Sequence, residues 1–206
     1  MSTYISKYLI VSLLPSLIFG TFFANVISTL LIIIFLTNFI KEKNFIYFKN
    51  SYSFFFLIFY SIIFIASLFS DDILFSLESS LFYFRFYLLS ISILYFLDKD
   101  STIISLFNKI FTLTLIVLVV YAIYQSVFFL IDNKTDFRIS SLFGDEKILG
   151  SYISRTYLVL LALILYQNSR YSNMIIFIVL LIFLFSLIGV ILSGERTAVL
   201  YFCISF

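Results

Sequence analysis

Long apolar runs separated by short polar breaks occupy almost the whole chain. The first run spans about Tyr8–Ile40. One straight helix of that length would reach roughly 50 Å at 1.5 Å per residue, against about 30 Å of bilayer hydrocarbon. Gly20 and Asn25 interrupt it, with Pro15 just upstream, so the pattern predicts a hairpin of two helices, Tyr8–Phe19 and Val26–Ile40. A single tilted helix is the alternative. A basic loop follows, with Lys41, Lys43 and Lys49. Further helices are predicted at about Ser53–Phe69, Leu81–Leu97, Ile103–Ile131, Ile148–Tyr166 and Met174–Leu192, and an eighth begins at Val199. Asp71-Asp72, a short stretch Ile73–Ser80 with Glu78, Asp98–Asp100, Asp132–Lys147 and Gln167–Asn173 are the breaks between them.

These runs are apolar on every face, Met174–Leu192 most plainly, so no period of 3.6 or 2 picks out an inner side. A transmembrane barrel would need short strands alternating apolar and polar residues. The fold class expected is therefore all-α, a polytopic transmembrane bundle of about seven or eight membrane helices. Composition agrees: 63% of the 206 residues are hydrophobic and 12% charged, about half the charged share of an average soluble domain. The first run has no positive cluster before it and no convincing cleavage site, so it reads as a retained helix. The net charge of +2 and the lack of a basic stripe argue against nucleic acid as a partner. The single cysteine, Cys203, rules out an intrachain disulfide, and there is no histidine. The commonest general base and metal ligand is therefore missing, and no cofactor or metal is expected. Asp71-Asp72 reads as a solvated helix end.

Two charged islands stand out. The first is Arg138–Tyr152, the second Ser193–Ala198. A charge at the bilayer centre costs about 2.5–3.5 kcal/mol on insertion scales, so charges at the mouths of apolar helices call for a reason. In the first island Gly144 suits a tight turn, Asp145 can cap the helix that follows, and Gly150 flanks the charged triplet on its other side. The N-terminus of that helix favours an anion, and Arg155 lies about two turns into it. In the second, Gly194 makes the turn, with Glu195 and Arg196 beside it. Each island has a plain reading, a capped loop with a snorkelling arginine and a helix–helix turn with a local ion pair. Each has a sharper one, an arginine gripping a phosphate through two parallel hydrogen bonds. Arg85, within Phe-Tyr-Phe-Arg-Phe-Tyr, is either an interfacial snorkeller or a further member of a basic pocket.

Counting Lys and Arg by face gives Lys7, Lys41, Lys43, Lys49, Lys99, Lys109 and Arg170 on one side. Arg85, Lys134, Arg138, Lys147, Arg155 and Arg196 fall on the other. The first set lies in plain short loops, so it is taken as cytoplasmic, and both islands face the exterior.

The stretch Arg138-Ile-Ser-Ser-Leu-Phe-Gly-Asp-Glu-Lys-Ile-Leu-Gly-Ser-Tyr152 resembles a segment of the O-antigen ligase and O-antigen polymerase superfamily. Leu192-Ser-Gly-Glu-Arg-Thr-Ala198 resembles the segment that opens that family's shared core. The Phe-Arg-Phe of the fourth helix and the Pro15/Gly20/Asn25 opening are also similar to its N-terminal half. The resemblance implies an integral glycosyltransferase of the bacterial inner membrane, independent of metals, that serves lipopolysaccharide and surface polysaccharide assembly. Its donor would be a glycan on undecaprenyl pyrophosphate at the periplasmic face. Arg196 matches the motif arginine and Arg138 follows, both as donor-pyrophosphate ligands, with Arg85 and Arg155 in support. Residues 1–192 would form the N-terminal helical region and 193–206 the start of the core. The apolar ending Val199–Phe206 is expected to be the beginning of a further span of a longer protein. The family's acceptor-activating histidine would lie beyond it, so this piece by itself is expected to lack that half of the site. A transporter or flippase of lipid-linked sugars and a non-catalytic membrane remnant are the rival classes.

Overall fold

A computed structural model describes residues 2–43, 45–131, 138–144, 146–167 and 173–204. Asp145, Lys134 and Arg170, each given a place above, lie outside the described residues, as does the start of the Asp132–Lys147 break. Those residues form eight α-helices and no strand: α1 (Ser2–Ser16), α2 (Thr21–Glu42), α3 (Ser51–Leu68), α4 (Ile73–Lys99), α5 (Thr102–Ile131), α6 (Leu149–Gln167), α7 (Asn173–Leu192) and α8 (Arg196–Ile204). Six of these, α2 to α7, are long and apolar enough to cross a membrane. The fold is an all-α helical bundle of the multi-pass membrane kind. Its outward surface supports this: Phe69, Leu74, Met174 and Phe177 are among many large apolar side chains left exposed. Such patches are not sustained in water, and a bilayer solvates them.

The first apolar run does break in two. Pro15 removes the N–H that would bond the Val11 carbonyl, and α1 gives way at Ser16 to a 3₁₀ turn, Leu17–Phe19. Gly20 follows at φ +112°, a conformation that side-chain-bearing residues rarely adopt. Lys7 of α1 pairs with Asp100, and Glu42 at the end of α2 pairs with Lys99. The start of α1 and the end of α2 thus meet the same end of α4, as a hairpin requires. Boundaries differ from expectation: α1 begins at Ser2, α2 begins at Thr21 so that Asn25 lies inside it and does not interrupt the run, and α4 begins at Ile73, so the stretch to Ser80 is its first two turns and not a separate linker. Glu78 and the neighbouring serines are polar, but polar helix formers at a membrane edge need no loop.

The chain divides into two compact units. The N-terminal unit comprises Met1–Leu13 and Ala24–Ser101. Its core is aromatic: Phe35 and Tyr95 meet edge to face at 5.3 Å, and Phe56 stacks on Tyr87 at 4.6 Å as α3 packs on α4. The C-terminal unit comprises Leu14–Phe23 and Thr102–Phe206. In it α5, α6 and α7 pack against one another and α8 lies along α6. The Asn108 amide donates to the Gln167 side-chain carbonyl at 2.7 Å, joining the start of α5 to the end of α6. The two islands lie at the other end.

Small residues choose the faces that the apolar pattern leaves undetermined. On α7 only Ser186, Gly189 and Val190 are buried. A Cβ on Gly189 would stand 2.5 Å from Ile153 Cδ1 and 2.9 Å from Val119 Cγ2, so this glycine lets α7 close on α5 and α6 together.

Candidate functional site

The polar end of the C-terminal unit is assembled from three pieces. The first is the segment before α6. Ile139, Ser141 and Phe143 are buried there, while Arg138, Leu142 and Gly144 are exposed. Ser141 holds φ +55°, a left-handed conformation costly for a residue with a Cβ. Three hydrogen bonds hold it. Its N–H donates to the Gln125 side-chain oxygen at 2.9 Å, the Gln125 amide returns a bond to its carbonyl at 3.5 Å, and its hydroxyl donates to the Leu118 carbonyl at 2.8 Å. Gly144 follows at φ +64°.

The second piece is the first turn of α6. Gly150, which flanks the charged triplet, is the second residue of this helix. It lies inside the helix, where a Cβ would come 2.3 Å from Ser193 Oγ and 2.9 Å from Ala198 Cβ. It is glycine because the second island sits directly against it. Two residues on, the Tyr152 hydroxyl donates at 3.0 Å to the Leu14 carbonyl, one of the acceptors left open at the end of α1, and its ring packs on Phe143.

The third piece is the turn between α7 and α8. Ser193 is buried; its hydroxyl donates to the Val190 carbonyl at 2.7 Å and accepts the Glu195 N–H at 3.3 Å. Gly194 turns the chain at φ +67°. Glu195 then reaches α6: its carboxylate accepts the N–H of Gly150 and of Ser151, each at 3.1 Å, and the Ser151 hydroxyl.

That contact joins the islands and changes how both are understood. The anion expected at the N-terminus of α6 is the chain's own Glu195, which satisfies two of the orphan amides there. The local Glu195–Arg196 ion pair is replaced by this link, and no such pair is present among the described residues. Arg138, Arg155 and Arg196 are all exposed, and none forms an ion pair among the described residues. Arg155 follows Ser151 by four residues and therefore lies on the same face of α6. Arg85 belongs to the N-terminal unit, where its guanidinium lies 4.9 Å from the centroid of the Phe86 ring. No group of three or more potential metal ligands occurs among the described residues.

Sequence reasoning missed Glu195, Ser151 and Gln125. The first two had a signal: a glycine and a serine opening α6 permit close approach, and Glu195 is the sole acid of the second island. Gln125 had none, being one polar residue inside a long apolar run.

The class these features define is a multi-pass helical membrane protein with a preassembled polar end. Compared with known protein families, curated proteins and solved structures, the chain matches none.

Proposed function

We propose that the chain belongs to a membrane glycosyltransferase of the O-antigen ligase/polymerase type, acting on glycans carried by undecaprenyl pyrophosphate. One observation carries the proposal. The two segments that resemble that family are separated by 39 residues, yet they form one hydrogen-bonded assembly through Glu195. The same segments and the first turns of α6 carry Arg138, Arg196 and Arg155, all exposed and without ion pairs among the described residues. With Glu195 already on the amides of α6, the work of holding a pyrophosphate falls to the guanidinium groups. Each offers paired donors that match phosphate oxygens. Glu195 acts as a positioning residue, holding Arg196 at the mouth of α6.

The polar end faces the periplasm of a bacterial cytoplasmic membrane in this proposal. The breaks that hold Lys41, Lys43, Lys49 and Lys99 are assigned to the cytoplasm by their positive charge, and in the chain α5 separates the last of them from the islands.

The test is binding of undecaprenyl pyrophosphate to the purified full chain in detergent. Arg196→Ala should weaken binding tenfold or more and Arg138→Ala somewhat less, with helical content unchanged, because both side chains are exposed. Unaltered affinity in Arg196→Ala would end the proposal.

A further inference from the structure

The N-terminal unit carries a second feature that the glycosyltransferase proposal does not use. Between the first turn of α3 and α4 lies an open groove of about 330 Å³. Phe56, Tyr87 and Leu94 form its apolar wall, and Tyr47, Asn50 and Ser53 its polar mouth. The mouth coincides with the N-terminus of α3, an 18-residue helix whose N-cap, Asn50, makes no side-chain capping bond. Unlike α6, which Glu195 fills, this helix end meets no carboxylate among the described residues.

Lysines outnumber free carboxylates in the chain around this mouth. Lys43 and Lys49 bracket the 3₁₀ turn Phe45–Phe48 that supplies Tyr47, and Lys41 closes α2 just before it. All three lysines are exposed, and none forms an ion pair among the described residues. Of the nearby acids, Glu42 pairs with Lys99 and Asp100 with Lys7, while Asp98 bonds the Tyr47 phenol and sets one negative charge beside the mouth against the three lysines. Burial first, and then the Asp98 carboxylate that it bonds, raise the Tyr47 phenol above its ordinary value.

A surplus of positive charge, an uncapped helix N-terminus and an aromatic trough thus meet where a membrane span begins. We infer that this groove binds an anionic phospholipid, with the phosphate at the mouth beside Lys43, Lys49 and the start of α3, and an acyl chain along Phe56, Tyr87 and Leu94. The charge selects the headgroup, and the trough holds the chain. A zwitterionic lipid offers the same hydrocarbon without the net charge. A free phosphate offers the charge without the hydrocarbon. The inference is independent of the pyrophosphate proposal, since every residue it uses lies in the N-terminal unit.

Native mass spectrometry of the purified full chain, titrated with phosphatidylglycerol or phosphatidylcholine, tests it. A lysine near an anionic headgroup is worth about fivefold in affinity. Three lysines, discounted for salt, should give phosphatidylglycerol an advantage of at least about tenfold. The variant K41Q/K43Q/K49Q should bring the two lipids to near equality. Leu94→Trp, which fills the trough and leaves the charge in place, should weaken both. Far-UV circular dichroism checks that each variant is folded, and Lys49→Gln alone gives a smaller shift in the same direction should the triple variant fail to fold. Equal affinity for the two lipids, or a preference that survives the lysine changes, overturns the inference. Displacement of phosphatidylglycerol by millimolar inorganic phosphate overturns it too, by naming the free ion as the ligand.

Discussion

Replacing Glu195 with alanine is the most direct probe of how the two islands are held together. The substitution removes the acceptor of two backbone N–H groups at 3.1 Å and of the Ser151 hydroxyl, and it removes negative charge from the N-terminus of α6. A hydrogen bond to a charged group contributes about 1.5–3 kcal/mol net. The three here share one half-buried carboxylate, and water can reach the freed amides, so they do not add. One full charged bond is the fair estimate, about 2 kcal/mol, with a further 0.3–1 kcal/mol from the helix dipole. A loss of about 2–3 kcal/mol in the docking of the α7–α8 turn is therefore expected. Hydrogen exchange of the peptide covering the start of α6 reads this directly. At 1.4 kcal/mol per tenfold, the amides of Gly150 and Ser151 should exchange about 30- to 100-fold faster. Glu195→Gln keeps one acceptor oxygen without the charge and should fall between. Glu195→Asp is one methylene shorter and should behave nearly like alanine. If exchange at Gly150 and Ser151 is the same in Glu195→Ala as in the parent chain, the carboxylate is not their partner and the joined-island argument fails.

Four other outcomes follow from the packing and the charge pattern. Gly150→Ala should destabilise α6 against α8 by about 1–3 kcal/mol through overpacking, despite alanine's better helix propensity, seen as a lower denaturation midpoint in graded SDS. Gly189→Ala should cost a similar amount, and adding Ile153→Val should recover part of it in the same assay, because valine lacks the Cδ1 atom that stands 2.5 Å from the new Cβ. Tyr152→Phe should lose about 1 kcal/mol with its bond to the Leu14 carbonyl, and the peptide at the end of α1 should exchange faster. A cysteine at exposed Leu142, in a Cys203→Ser background, should react with a membrane-impermeant maleimide from outside whole cells; protection there with labelling of inverted vesicles would reverse the proposed orientation.

The apolar runs of the sequence determined the helix count, the all-α class and the membrane setting, because backbone groups in hydrocarbon must be satisfied within a helix. Pro15 and Gly20 located the first break, and the extent of α4 was misjudged only where polar residues sit at a membrane edge. The charges at Arg138, Glu195 and Arg196 marked which end of the helices to study, since charge next to hydrocarbon is expensive. The sequence could not show which faces meet. α7 is apolar all round, so hydrophobicity carries no directional information, and contact is decided by where small residues let backbones approach. Gly189 and Gly150 therefore look like ordinary residues in the chain and become determining only once Ile153 and Ser193 stand against them. Glu195 is the sharpest case. In sequence its evident partner is Arg196, one residue away, but the turn at Gly194 aims its carboxylate at amides 44 and 45 positions upstream. A helix N-terminus carries no sequence label for the anion that will fill it, and only the tertiary structure brings that anion within reach.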